Sequence, residues 1–334
     1  MISNDDILNS NFSKKIYTEY PEVLDILLYD NTTKKNIIWA SDHYVKKGKD
    51  FLKTSEIKPY HILGRVKVIK PRTLKSKTEQ VKRSKDNAEV FTPAWIVNKQ
   101  NNLIDNAWFN KDNVFNVEKK DNTWSITKKV IFDETKTFDD YIDDVRLEIC
   151  CGEAPYLVSR YDSVTGNIIE VTNRVGLLDR KFRVINENVK DKDKWIEYSL
   201  RAIKSIYGYE FQGDNLFIAR ENILLDFIDY YLEKFNKVPD KELLIEISTI
   251  ISWNIFQMDG LKYVVPFTCH NEEVKYVQIS LFEDNSDPEF DICPGCKNND
   301  PKKHNGKRCY IMDWQKNKKI KFVSLMWGND NYVK

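Results

Sequence analysis

The chain has 334 residues, 41% of them apolar and 13% aromatic, enough to bury one large α/β core with appendages or two domains of ordinary size. Its 52 Lys and Arg stand against 51 Asp and Glu, and the formal net charge of +1 argues against a surface wholly devoted to binding phosphate. No apolar run reaches the ~18 residues of a bilayer span, and the polar, acidic stretch 1–20 does not read as a secretory signal, so the cytoplasm is the expected compartment.

Taken in chain order, the apolar stretches Val23–Tyr29 and Ile37–Ala40, separated by the turn residues Asp30 and Asn31, predict a small α+β lead-in. From Arg65 to Lys85, nine basic residues face a single acid, Glu79. That stretch reads either as a solvated linker or as a phosphate-contacting segment. Phe91-Thr92-Pro93 then introduces a helix over Ala94–Ile104, entered through proline at its first turn. Residues 110–140 read as a loop or small hairpin.

Val145–Ile149 predicts a strand that ends in Cys150-Cys151-Gly152-Glu153-Ala154-Pro155, with Tyr156–Tyr161 turning helical. Asp193–Ile206 has helical spacing and runs into a strand, Tyr207–Phe211, that carries the acid Glu210. Asp214 reads as the cap of a long helix through Phe235, and Pro239-Asp240 opens another over Glu242–Trp253. Asn254–Met258, Tyr263–Val265 and Lys319–Met326 complete the set of short apolar segments, the last two as strands. The strand–helix alternation predicts an α/β fold whose mostly parallel sheet is covered on both faces. The expected divisions are a lead-in over 1–85, a central domain over 86–285 and a terminal segment over 286–334.

In such a sheet a ligand sits at the carboxyl ends of the strands. Three strand ends carry suitable residues. Gly152 lets the chain pass beneath a ligand, Glu210 can accept hydrogen bonds from ribose hydroxyls, and Asp259 can accept one from an adenine amino group.

Phe91-Thr92-Pro93, the run Leu147–Leu157, Tyr209-Glu210 and Asn254–Leu261 resemble, in order, four segments of the adenine-N6 DNA methyltransferases of restriction-modification systems. The likeness spans roughly half the chain. It implies a Rossmann-like methyltransferase sheet and a site for S-adenosylmethionine formed by Phe91, Thr92, Pro93, Glu148, Cys150, Gly152, Glu153, Glu210 and Asp259. In that family the Phe-Thr-Pro segment and the Cys-Gly turn border the methionine part of the cofactor. The acid at Glu210 holds the ribose, and the Asp at the position of Asp259 meets the adenine. Two departures are local: Ala154 stands where a second glycine is usual, and the spacing from Glu153 to Glu210 implies an insertion around Asp162–Asp193.

A third departure is larger, because the family's catalytic Asn/Asp-Pro-Pro-Tyr/Phe tetrapeptide occurs nowhere in these 334 residues. The nearest fragment, Val265-Pro266-Phe267, has one proline and no preceding Asn or Asp. The chain is therefore expected to be the S-adenosylmethionine-binding subunit of a split DNA methyltransferase. It would be inactive alone and form a heterodimer with a second polypeptide that supplies the catalytic strand and target recognition. The alternative is a non-catalytic nucleic-acid-binding protein that keeps the fold.

Cys293-Pro294-Gly295-Cys296, His304 and Cys309 give the spacing Cys-x2-Cys-x7-His-x4-Cys, which predicts a closed, structural zinc site. Its flanks, Lys297, Lys302, Lys303, Lys307 and Arg308, form a basic knob for phosphate or for an acidic partner, or a solvated face. Cys150 and Cys151 are assigned to the cofactor turn, and Cys269 and His270 to buried structural positions.

Overall fold

The computed structural model describes residues 11–65, 68–273 and 290–327. Three short strands, Arg146–Glu148 (β1), Ile206–Glu210 (β2) and Ile255–Gln257 (β3), pair as a parallel sheet in the order β1-β2-β3. The register sets Glu148 beside Gly208 and Glu210 beside Gln257, which aligns the three carboxyl ends.

Parallel neighbours need long crossovers, and helices supply them. Leu177–Asn188 (α1) and Lys192–Lys204 (α2) lead from β1 to β2, while Gly213–Phe235 (α3) and Lys241–Asn254 (α4) lead from β2 to β3. Asp191 caps α2 by accepting the Lys194 amide (3.0 Å), and Asp240 caps α4 through Leu243 N (3.0 Å). The expected insertion around Asp162–Asp193 holds a turn closed by a Tyr161–Ile168 bridge and then α1.

Helix α3 is buried almost all round, with Leu216, Phe217, Ile223, Leu224, Phe227 and Ile228 among its buried residues. It is accordingly a central helix rather than a surface one. One continuous cluster of buried side chains runs from Ile16 in the lead-in through α3 to Ile255 in β3. Arg220 of α3 stitches these parts together without a carboxylate. Its guanidinium donates to the carbonyls of Leu27 (2.7 Å), Tyr29 (2.9 Å), Ser252 (3.2 Å) and Ile255 (2.7 Å). Two of those carbonyls lie at the end of the helix Pro21–Leu28, where unpaired carbonyls otherwise accumulate.

The other face of the sheet is covered differently. Tyr209 and Phe256 pack with Ile311, Phe322, Met258 and Val265 in a second cluster, under a hairpin formed by Tyr310–Asp313 and Lys318–Lys321. Helices were expected on both faces; over Tyr209 and Phe256 the cover is this hairpin.

Several local expectations change. Lys318–Lys321 is a strand, but Val323–Trp327 turns helical where Lys319–Met326 was expected to stay extended. Tyr263–Val265 makes only isolated bridges, Asp259–Val264 and Val264–Arg308. Tyr156–Tyr161 forms turns rather than a helix. Pro93 occupies the cap position of the helix Ala94–Phe109, not its first turn. The 110–140 stretch does contain a hairpin, Asn116–Glu118 with Trp124–Ile126.

Asp214 does not cap α3. It is fully buried, accepts the Tyr44 hydroxyl (2.8 Å) and pairs with Arg83 (2.8 Å). Arg83 also meets Glu89 at 2.6 Å, and Lys75 lies 3.7 Å from Asp214. The basic stretch is thus neither a solvated linker nor wholly a phosphate surface: it includes the helix Lys77–Asn87, whose Arg83 is drawn into the body by nearby Glu89 and by Asp214, distant in sequence. No described helix is long and apolar enough to cross a membrane.

Candidate functional site

At the carboxyl end of the sheet, the turn after β1 is held in an unusual backbone conformation. Cys150, Gly152 and Ala154 have φ of 50°, 54° and 62°. Gly152 adopts that region freely, whereas Ala154 bears the strain a second glycine would have avoided. The turn is fastened from both sides by acids. Glu210 at the end of β2 accepts the Gly152 amide (2.9 Å) on one carboxylate oxygen and the Gln212 amide (3.0 Å) on the other. Glu148 at the end of β1 accepts the amides of Tyr156 (3.3 Å) and Leu157 (3.2 Å).

Above this turn lies a cavity of about 590 Å³. It gathers seven of the residues expected to meet a cofactor: Phe91, Thr92, Glu148, Cys150, Gly152, Glu153 and Glu210. Pro93 lies one residue outside the lining and is the cap of the following helix. Asp259 is also outside it, although its neighbours Met258 and Gly260 line the wall. The Asp259 carboxylate instead accepts the amides of Leu261 (3.1 Å) and Lys262 (3.2 Å), closing its own turn.

Glu153 has a positioning task. Its carboxylate accepts the Arg72 amide (2.6 Å) and the Tyr161 hydroxyl (2.7 Å), which pins the basic stretch to the turn. Arg72 in turn lies over the Phe91 ring, 5.1 Å from its centre.

The cavity is acidic. Glu89, Glu148, Glu153 and Glu210 line it, and no Lys or Arg does. Burial raises the carboxyls of Glu210 and Glu153 and pushes that of Glu148 up to about 8, against the opposing pull of its two amide donors. Burial also raises the Cys150 thiol, as does the nearby Glu210 carboxylate. A ligand entering here meets carboxyl acceptors and no lysine or arginine lining the wall.

The second constellation lies in the C-terminal part of the described chain. Cys269, Cys293, Cys296 and His304 bring their ligand atoms within 4.8 Å of one another, a set that can hold a metal ion. His304 Nδ1 is 3.6 Å from Cys269 Sγ, 3.7 Å from Cys293 Sγ and 3.6 Å from Cys296 Sγ. Gly295 makes this approach possible: a Cβ there would lie 2.5 Å from the His304 amide nitrogen. Burial, together with the positive charges of Lys262 and Arg308, lowers the His304 pKa and favours the neutral imidazole that a ligand needs. Burial and the neighbouring Cys293 and Cys296 push Cys269 up to about 12.

The expected fourth ligand, Cys309, is elsewhere. It is buried in the cluster of Tyr209, Phe256 and Phe322, with its thiol donating to Gln257 O (3.4 Å). Backbone pairing explains the exchange. Val265 N donates to Lys307 O (2.8 Å), and Lys307 N donates to the Thr268 hydroxyl (2.9 Å), so the segment before Cys269 runs alongside the segment before Cys309. That pairing delivers Cys269 to the knuckle while Cys309 turns into the core. Nothing in the spacing of Cys269 tied it to Cys293 in the sequence.

The basic knob is largely self-paired. Lys297 meets Asp291 (2.8 Å), Lys303 meets Asp300 (3.4 Å), and Arg308 donates to the carbonyls of Lys262 and Lys302 (both 2.8 Å). No family model matches this sequence, and no curated protein or solved structure matches it significantly.

Proposed function

We propose that the strand-end cavity binds S-adenosylmethionine, and that the chain is the cofactor-binding subunit of a split DNA adenine-N6 methyltransferase with a Rossmann-like sheet. The observation that carries this reading is the acidic, lysine- and arginine-free cavity over a left-handed turn at the ends of parallel strands. Its chemistry suits a cationic ligand bearing hydroxyls and disfavours phosphorylated cofactors, which ordinarily use helix N-termini and basic side chains.

In this reading Glu210 aligns a ribose while its amide bonds keep the turn in place, and Phe91, Cys150 and Gly152 border the sulfonium end. Asp259 reaches an adenine amino group only if it gives up its own turn, so Met258 and Gly260 are the nearer wall. The cofactor supplies a methyl group for transfer to an amine. The chain's own part is to hold that donor in a fixed direction and shield it from water. The group that holds the target amine lies outside these 334 residues, which contain no Asn/Asp-Pro-Pro-Tyr/Phe tetrapeptide. We assign it to a second polypeptide, together with DNA target recognition.

For the metal cluster we propose zinc in a structural role. Bonds of ~2.3 Å to sulfur and ~2.05 Å to nitrogen in a tetrahedron place sulfur and nitrogen ligands ~3.6 Å apart, close to the three distances at His304. Four protein ligands leave no open position for a reacting group. The alternative function, a nucleic-acid-binding protein without cofactor, is favoured by a cleft of about 670 Å³ beside His304 whose lining includes Lys303, Lys307, Arg308 and Lys321.

Calorimetric titration of the full chain separates the two. Micromolar S-adenosylmethionine binding is expected, weakened about 10- to 100-fold by Glu210→Ala through loss of a charged hydrogen-bonding group. A folded chain that binds duplex DNA but no S-adenosylmethionine overturns the proposal in favour of the alternative. Elemental analysis should find about one zinc per chain.

A further inference from the structure

The sheet order β1-β2-β3 leaves β1 at an end, and no described strand pairs with its outer side. Arg146 donates its amide to Ser205 O (2.9 Å) on the β2 side. Because successive amides of an extended strand alternate in direction, the N–H of Leu147 faces outward. The side chains on this stretch are apolar and open to solvent: Val145 is 62% exposed, Leu147 43% and Ile149 65%.

Natural edges of this kind are guarded by lysine, proline or a bulge, because an unguarded apolar edge templates pairing with another chain. Here the polar residues between the apolar ones do not guard it. Arg146 is folded against Asp144 (2.7 Å) and Asp105 (3.4 Å), and Glu148 is buried. The hairpin that covers Tyr209 and Phe256 stops short of β1. Between them runs a groove of about 500 Å³, with Val145 and Leu147 on one side and Ile311, Trp314, Phe322 and Leu325 among the residues facing them.

The groove's own charges are matched within the chain. Arg201 pairs with Asp139 and Asp143, Asp313 pairs with Lys316, and Lys204 lies over the Trp314 ring at 5.5 Å. An occupant therefore needs apolar side chains for the groove and backbone donors and acceptors for the edge. An extended strand with alternating apolar residues supplies both; a helix, with its backbone internally paired, supplies only the first. The edge is also continuous with the site, since Leu147 lines the groove and Ile149 lines the cavity.

We infer that a β-strand of a partner polypeptide adds to the outer edge of β1, seats its apolar side chains in the groove and brings its following residues to the rim of the cavity. The identity of that partner as the chain carrying Asn/Asp-Pro-Pro-Tyr/Phe rests on the split-enzyme reading; strand addition itself rests on the edge and the groove.

The test places a photo-reactive benzoylphenylalanine at Leu325, in the groove, in the full chain produced in its cell of origin. Irradiation should give one adduct, whose attached peptide has alternating apolar residues. Leu147→Pro removes an outward amide and keeps the bonds to β2, a change edge strands tolerate. It should lower adduct yield by at least about tenfold, as expected for losing a pairing bond and gaining a clash. Its thermal midpoint and S-adenosylmethionine affinity should match those of the unaltered chain, which controls for folding. An adduct that persists in Leu147→Pro, an attached peptide from a second copy of this chain, or no adduct at all overturns strand addition. A Leu147-dependent adduct with a polypeptide lacking the tetrapeptide supports strand addition and overturns the split reading of the partner.

Discussion

The two candidate sites are organised by opposite means. The strand-end cavity is held by the chain's own hydrogen bonds: Glu210 and Glu148 each take two backbone amides, and Glu153 ties in the basic stretch. The Cys-His cluster is supported chiefly at Cys293, whose sulfur accepts the amides of Asn305 (3.4 Å), Cys296 and Gly295. Its ligands come from three short segments, two of which are tied by Val265 N to Lys307 O (2.8 Å) and by Asn305 Nδ2 to His270 O (2.8 Å). The first site stands on bonds already made; the second is the one a bound ion is expected to complete.

The contrast is broken most directly by removing metal. Chelation is expected to release protection from hydrogen exchange in residues 264–273 and 290–309 and leave amides around Gly152 and Gln212 protected, because metal binding free energy is folding free energy for such a knuckle. Cys269→Ala should weaken zinc binding beyond the about 10- to 100-fold that loss of an outer supporting contact costs. Cys309→Ser should retain about one zinc per chain, since its thiol touches no ligand. Zinc loss in Cys309→Ser with retention in Cys269→Ala would reverse the ligand assignment.

Next in size is the network that fastens the basic stretch to the cavity's far side. Arg83→Ala leaves the buried Asp214 facing only Lys75 at 3.7 Å and the Tyr44 hydroxyl, and strands Glu89. A loss of about 3–5 kcal/mol is expected in denaturant unfolding, as for one partner removed from a buried ion pair. A loss below about 1 kcal/mol, the range of an exposed pair, would mean the helix Lys77–Asn87 is loosely attached.

How much of this was legible in the sequence depended on whether the cause was local. Strands β1 and β2 and helices α2, α3 and α4 follow from apolar periodicity and from caps such as Asp240, which act within a few residues, whereas helix α1 and the strand character of Ile255–Gln257 were not read. The cavity lining was legible where residues sit at strand ends, as Glu210 and Gly152 do. Asp214 was misread as a cap because its partners, Arg83 and Tyr44, are more than a hundred residues away. Cys309 was misread as a ligand because its spacing from His304 fits a knuckle, whereas the nonlocal pairing of Val264 with Arg308 decides which cysteine joins His304.

A smaller effect tests whether the cavity's acids are as buried as their geometry indicates. The Glu148 carboxyl titrates near 4.5 when exposed and near 8 in the fold. The native chain therefore holds a proton that the unfolded chain has lost across that window. Stability should fall as pH rises through it, by up to about 1.4 kcal/mol per pH unit, and level off above the folded value. Glu148→Gln should flatten this slope, at a cost of about 1 kcal/mol at every pH because an amide group can accept from only one of the two backbone donors. Thermal midpoints of both chains across that range check the sign.

The smallest change bears most closely on the contrast between a preformed site and one completed by its ligand. A methyl group at Gly152 meets nothing closer than Phe91 Cε1 at 3.9 Å, so Gly152→Ala creates no clash in the chain itself. Its cost is the strain of a left-handed φ of 54°, about 1 kcal/mol, the same kind of strain that Ala154 already bears. The added methyl does, however, project where the turn passes under the cavity. If a ligand lies against that turn, S-adenosylmethionine affinity should drop by about tenfold or more, exceeding what this backbone strain alone accounts for in stability. Unchanged affinity with the stability cost intact would mean that the turn shapes the cavity without touching what binds there, and would move the sulfonium end away from Gly152 toward the Phe91 wall.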